Sequence, residues 1–215
     1  MTVRAHILDA GNLFGRRRPA VQRAVDAAVR YVERRSPRLD ADLVVQPMSF
    51  GRDHFPIEAF AMSPHNVHVG IERTSLSADD MGAEVYRTVI HELHHAVRWS
   101  HVPRWTLGEA IILEGLAVVA DQVAAGPRED LLRPMRDAAR AVDYLLAHRS
   151  EPLRGHQKWL YSTEPEQPGD ATRIYTAGLH VMRAALTTLR VSPWKAATRS
   201  ADDLLDAGFA RLGAA

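Results

Sequence analysis

His91, Glu92 and His95 stand at H-E-x-x-H spacing, in the run His91-Glu92-Leu93-His94-His95. In an α-helix, residues four apart lie about 40° apart on the wheel and one turn apart along the axis. His91 and His95 can therefore aim ring nitrogens at one ion. Glu92 falls roughly 60° beyond His95, within reach of a water at that ion without ligating it. The chemistry this trio serves is metal-assisted hydrolysis, with two imidazole ligands and a carboxylate general base.

The motif alone is only moderately specific. Eleven His and eleven Glu in 215 residues give about 0.03 chance matches per chain of this length. Glu114 sharpens it. It follows His95 after an 18-residue gap, inside Gly108-Glu109-Ala110-Ile111-Ile112-Leu113-Glu114-Gly115-Leu116-Ala117. A glutamate on a following helix is one known third zinc ligand, and the two signals together fall to about 0.004 by chance. Glu109 lies about 140° from Glu114 on the same wheel and faces elsewhere.

H-E-x-x-H, 18 residues and then Glu-Gly is similar to the aminopeptidase branch of the gluzincins; thermolysin has a slightly longer gap. His-Glu-Leu-His-His followed by Glu-Gly-Leu-Ala resembles more closely a bacterial family of predicted zinc-dependent proteases without an established substrate. The strong resemblance covers about residues 85–121, with weaker echoes at Trp159-Leu160-Tyr161 and Tyr175-Thr176-Ala177-Gly178. It implies one Zn2+ per chain held by His91, His95 and Glu114, a gluzincin-like site and peptide hydrolysis. Gluzincins commonly place an edge strand above the zinc helix, and by resemblance His68-Val69-Gly70-Ile71 is the candidate. Thermolysin-like enzymes carry a helper aspartate one turn after the glutamate, where this chain has Val118. Asp121 is the available substitute, able to orient His91 or to pair with Arg87.

Amide hydrolysis also builds charge on the carbonyl oxygen, which a tyrosine or histidine donor stabilises. Tyr175 is the first candidate, since the related proteases resemble this segment in a Tyr-x-x-Gly pattern. A second tyrosine common there is Leu179 here. Tyr161 is the alternative donor, and a tyrosine simply packed between helices is the rival reading.

These residues need a scaffold. Tyr86, Val89, Ile90, Leu93, Ala96 and Val97 recur at helical spacing, centred opposite His91 and His95, and Ser77 with Asp80 forms a capping box. The metal helix runs from about Asp80 to Ser100, and Pro103 breaks it. Upstream, Val3 to Leu8 reads as a strand before a Gly11-Asn12 turn. A helix starts at Pro19 with Val21, Ala24, Val25, Ala28, Val29 and Val32 inward and stops at Pro37. Leu43-Val44-Val45 is a short strand, and Ala59 to Met62 with Val67 to Ile71 form a hairpin. Gly70 marks a close approach or a bulge.

Downstream, helices are expected over Thr106 to Ala124, Glu129 to His148, Ala171 to Leu189 and Ala201 to Leu212. The helix over Glu129 to His148 carries Leu132, Met135, Ala139, Val142 and Leu146 on its core side. Residues 151–170 read as a loop around Trp159-Leu160-Tyr161. The expected class is α+β in one zincin-like domain: a small N-terminal lobe to about residue 80 and a helical lobe after it, with the site at their junction.

Composition bounds the rest. At 23.9 kDa, 46% apolar and 25% charged, with net charge +1, the chain suits one soluble domain and shows no global field for nucleic acid. Arg16-Arg17-Arg18 reads as a solvated helix entrance. The chain has no cysteine, no visible signal peptide and no membrane-length apolar run, so a cytoplasmic setting is expected, with a peptide or protein substrate. His94 and His101 are assigned structural or solvated roles, and His54, His65, His68, His156 and His180 read as isolated. Trp99, Trp105, Trp159 and Trp194 read as packing residues. The function expected is a zinc-dependent peptidase. The alternatives are a catalytically silent regulatory zinc module, against which Glu92 argues, and a non-peptide amide hydrolase.

Overall fold

A computed structural model of the chain describes residues 2–48, 57–72, 76–102, 104–127, 138–156 and 173–213. The architecture is α+β, in two compact units, Met1–Ser100 and His101–Ala215. In the first unit β1 (Val3–Ile7) leads to α1 (Arg18–Glu33) and β2 (Ala41–Met48). A hairpin of β3 (Ile57–Ser63) and β4 (Asn66–Glu72) follows, then α2 (Ala78–Trp99). The sheet order is β1-β2-β4-β3, with β1–β2 and β2–β4 parallel and β3–β4 antiparallel. Parallel neighbours require a crossover, and α1 provides the one between β1 and β2.

Alternation sorts the faces of this sheet. Ala41, Leu43 and Val45 are buried, and the register sets Leu43 beside Val67 and Val45 beside Val69, which are buried too. On α1 the expected stripe is buried, except that Val29 is only partly covered. Helix α1 packs on α2, and α2 packs on β3 and β4. The opposite face is polar. Arg4 Nε donates to Asp42 at 3.1 Å, and His6 Nε2 lies 2.9 Å from the same carboxylate. The hydrogen bond to His6, then that from Arg4, holds Asp42 below the usual carboxylate range.

Two expectations are corrected here. β2 is longer than Leu43–Val45 and includes Pro47, a residue normally excluded from central strands. β1 pairs with β2 only over Ala41–Val45, so Pro47 has a strand on one side alone, beside Ile71. His68–Ile71 is also not an edge, because β4 lies between β2 and β3. The edge beside β4 is β3, where Phe60 and Met62 are exposed. Gly70 admits a close neighbour, but that neighbour is Met48: a Cβ there would fall 2.2 Å from its Sδ. The bulge lies in the hairpin instead, between Ala61 and Ser63.

Because α2 buries its apolar side on α1 and the sheet, it belongs with the strands. It lies in the first of the two compact units, Met1–Ser100. The second unit holds α3 (Leu107–Ala125), α4 (Ala138–His148), α5 (Arg173–Leu189), the short α6 (Pro193–Ala196) and α7 (Ala201–Leu212). Ile111, Leu116, Leu145, Leu179, Met182 and Phe209 belong to its core. The expected stripe residues Leu132 and Met135, the Trp159-Leu160-Tyr161 turn and Pro103 lie outside the described residues, as does His54. No helix among the described residues is long and apolar enough to cross a membrane.

Candidate metal centre

Ser77 begins α2 as anticipated. The Asp80 N–H donates to Ser77 Oγ at 3.1 Å, and the Ser77 hydroxyl donates to the Asp80 carboxylate at 2.7 Å. Asp79 and Asp80 in the first turn also complement the helix dipole. Three turns on, the helix carries the candidate ligands. His91, Glu92 and His95 each offer a donor atom, and the three lie within 4.8 Å of one another. The His91 and His95 rings meet edge to face, with centroids 4.5 Å apart and planes at 85°.

The surroundings differ from a simple amphipathic picture. His91 is half-buried, while Glu92 and His95 are each only 6% exposed. From Val89 to Arg98 every residue except His91 is buried, including Arg98 at 0% and His94 at 0%. The apolar stripe is thus one side of a helix covered on nearly all sides around its histidines. His94 takes the structural reading and not the solvated one, whereas His101 is exposed. Arg87, Glu92 and Arg98 are all buried on this helix, where charge is costly unless paired.

The donor set fits a zinc-class ion. Two imidazoles are ligands of the type zinc takes, with the Glu92 carboxylate close beside them, and Cys ligands are ruled out by composition. Where the donor atoms already converge on one rigid helix, little ordering remains to be done on binding.

Glu114 and Glu109 occupy distinct environments on α3. Thr106 caps this helix, accepting from the Glu109 N–H at 3.2 Å. Glu109 is 3% exposed and lines a pocket with His101, Arg199 and Asp202. Glu114 is different: among residues 107–122 it is the one that is not buried. A helix apolar almost all round is a core element, and Glu114 is the partly open position in its middle. Asp121, by contrast, is fully buried, as is Val118.

Tyr175 lies in the first turn of α5, partly buried and packed against the core of the second unit. Gly178, one turn later, admits a neighbouring helix. A Cβ there would lie 2.8 Å from the Ile111 carbonyl oxygen and 2.9 Å from Gly115 Cα. His180 keeps much of its surface open, and partial desolvation of its ring, then the nearby Arg183 charge, lowers its pKa. Tyr161 lies outside the described residues. Of the tryptophans, Trp194 is buried and Trp105 is exposed.

One group of ligand-type residues had no clear sequence signal. His148, Glu151 and His156 also bring donor atoms within 4.8 Å of one another. His148-x-x-Glu151 has helical i, i+3 spacing, but α4 ends at His148, so periodicity does not extend to His156.

Residues 64–206 match the family described as Predicted Zn-dependent protease (DUF2268). The match spans most of the chain, including α2, α3 and α5, and the chain belongs to this family. No curated protein and no solved structure matches it.

Proposed function

We propose that the chain is a zinc metallopeptidase of gluzincin type. The observation that carries the proposal is the convergence of His91, Glu92 and His95 donor atoms on one helix, in a chain of a family described as predicted zinc-dependent proteases. In this reading His91, His95 and Glu114 are the protein ligands of one zinc ion. Such an ion polarises the scissile carbonyl and makes water a usable nucleophile near neutral pH.

Glu92 is the general base. Its carboxylate takes a proton from the attacking water and returns it to the leaving amine nitrogen, so the same group serves both halves of the reaction. Tyr175 donates its hydroxyl hydrogen to the developing oxyanion. Peptide backbone pairing falls to β3, the edge strand packed beside α2.

A peptide-library digestion tests this. Cleavage should stop on chelation and return when zinc is restored. A zinc-loaded protein that cleaves no peptide, or one indifferent to chelation, contradicts the proposal.

A further inference from the structure

Outside the centre on α2, the second unit holds a compact group at the end of α4. His148 Nδ1 lies 2.8 Å from Glu151 Oε1, and His156 Nε2 lies 3.2 Å from Glu151 Oε2. Tyr144 closes the group, its hydroxyl 2.8 Å from His156 Nδ1 and its ring against that of His148. The backbone beneath is well fixed. The Glu151 N–H donates to the His148 carbonyl at 2.9 Å, and the Leu107 N–H donates to the Glu151 carbonyl at 3.0 Å. Thr106 and Pro152 form a bridge between the same segments.

We propose that His148, Glu151 and His156 form a second site for a divalent transition-metal ion of the zinc class. The donor set is again two imidazoles and a carboxylate, which zinc prefers over the all-oxygen shells of calcium and magnesium. Ligand atoms about 2.1 Å from a tetrahedral zinc lie about 3.4 Å from one another. The two separations, 2.8 and 3.2 Å, are shorter, as expected where hydrogen bonds hold the groups together. The group can open to that spacing, because the His148 and Glu151 side chains are 36% and 51% exposed.

Proton placement supports the assignment. To ligate, His156 must free Nε2 and carry its proton on Nδ1. The Tyr144 hydroxyl there can accept as readily as donate, so the buried ring changes tautomer without stranding a proton. It then supplies the outer hydrogen bond that metal-bound histidines normally make. His148 has to move its proton to Nε2, and its partly exposed ring finds water. An ion here would be structural, fastening the last residue of α4 to the loop that holds the first turn of α3.

The site stands independently of the centre on α2, so the test silences that centre. Zinc is titrated calorimetrically into metal-free His91→Ala/His95→Ala protein, with circular dichroism as the folding control. About one zinc per chain should bind. Adding His148→Gln or Glu151→Gln should abolish binding, and adding Tyr144→Phe should weaken it about tenfold. A folded double variant that takes up no zinc overturns the proposal and leaves a hydrogen-bonded group only. Binding unchanged by His148→Gln and Glu151→Gln overturns it equally. Should the double variant not fold, zinc content of the full chain decides. A loss of about one ion in His148→Gln supports the site, and no loss refutes it.

Discussion

Gly115 and Gly178 touch backbone to backbone: a Cβ on Gly115 would lie 2.3 Å from the carbonyl oxygen of Gly178 and 2.7 Å from Met182 Cγ. Helices α3 and α5 therefore make close backbone contact one residue from Glu114 and one turn from Tyr175. An alanine ordinarily stabilises a helix interior by about 1 kcal/mol over glycine. Here the obstructing atoms belong to a backbone that cannot rotate away, so the sign reverses. Gly115→Ala should destabilise the chain by about 1–3 kcal/mol, read as a lower denaturation midpoint at unchanged m-value. An equal or higher midpoint contradicts the helix contact.

Glu114 and Glu109 separate cleanly by zinc affinity. Glu114→Gln should weaken binding at the α2 centre strongly, measured in protein also carrying His148→Gln to remove the second site. Glu109→Gln in that background should bind zinc as tightly as its parent, because Glu109 lines a pocket with Arg199 and Asp202. The reverse order would move the third ligand more than one turn earlier.

Tyr175→Phe keeps the ring that packs on the second-unit core and removes only the hydroxyl. Turnover should fall about 10²–10³-fold, with KM, zinc content and melting temperature little changed. Full activity would assign Tyr175 to packing alone.

Zinc should also stabilise the fold. At a hundredfold excess over the dissociation constant, one site contributes roughly 2.7 kcal/mol by linkage. In the His148→Gln background this gain should vanish on adding His95→Ala. A melting temperature that does not respond to zinc in the parent speaks against the α2 centre.

Helical elements were legible because their periodicity is local. Val21, Ala24, Val25, Ala28 and Val32 repeat at helical spacing and are buried, and Ser77 with Asp80 caps α2 as read. The His91, Glu92 and His95 convergence follows from the same local geometry. Strand order did not, because nothing within His68–Ile71 encodes whether a second neighbour pairs on its far side. Its interior position depends on parallel pairing with β2, whose partner residues lie about two dozen positions upstream. Spacing singles out Glu114, but its partial exposure in a buried helix depends on packing from the rest of the fold. His156 looked isolated because its partners are reached across a turn, after the helical register has ended.

In the proposed mechanism Glu92 acts on water and not on the ion. The direct measurement is zinc content and peptide turnover of Glu92→Gln beside those of wild type and His91→Ala. Zinc should remain at the wild-type level in Glu92→Gln while turnover falls about 10²–10⁴-fold. If Glu92→Gln instead loses zinc as completely as His91→Ala, or cleaves at the wild-type rate, Glu92 is not the base and the proposed mechanism fails.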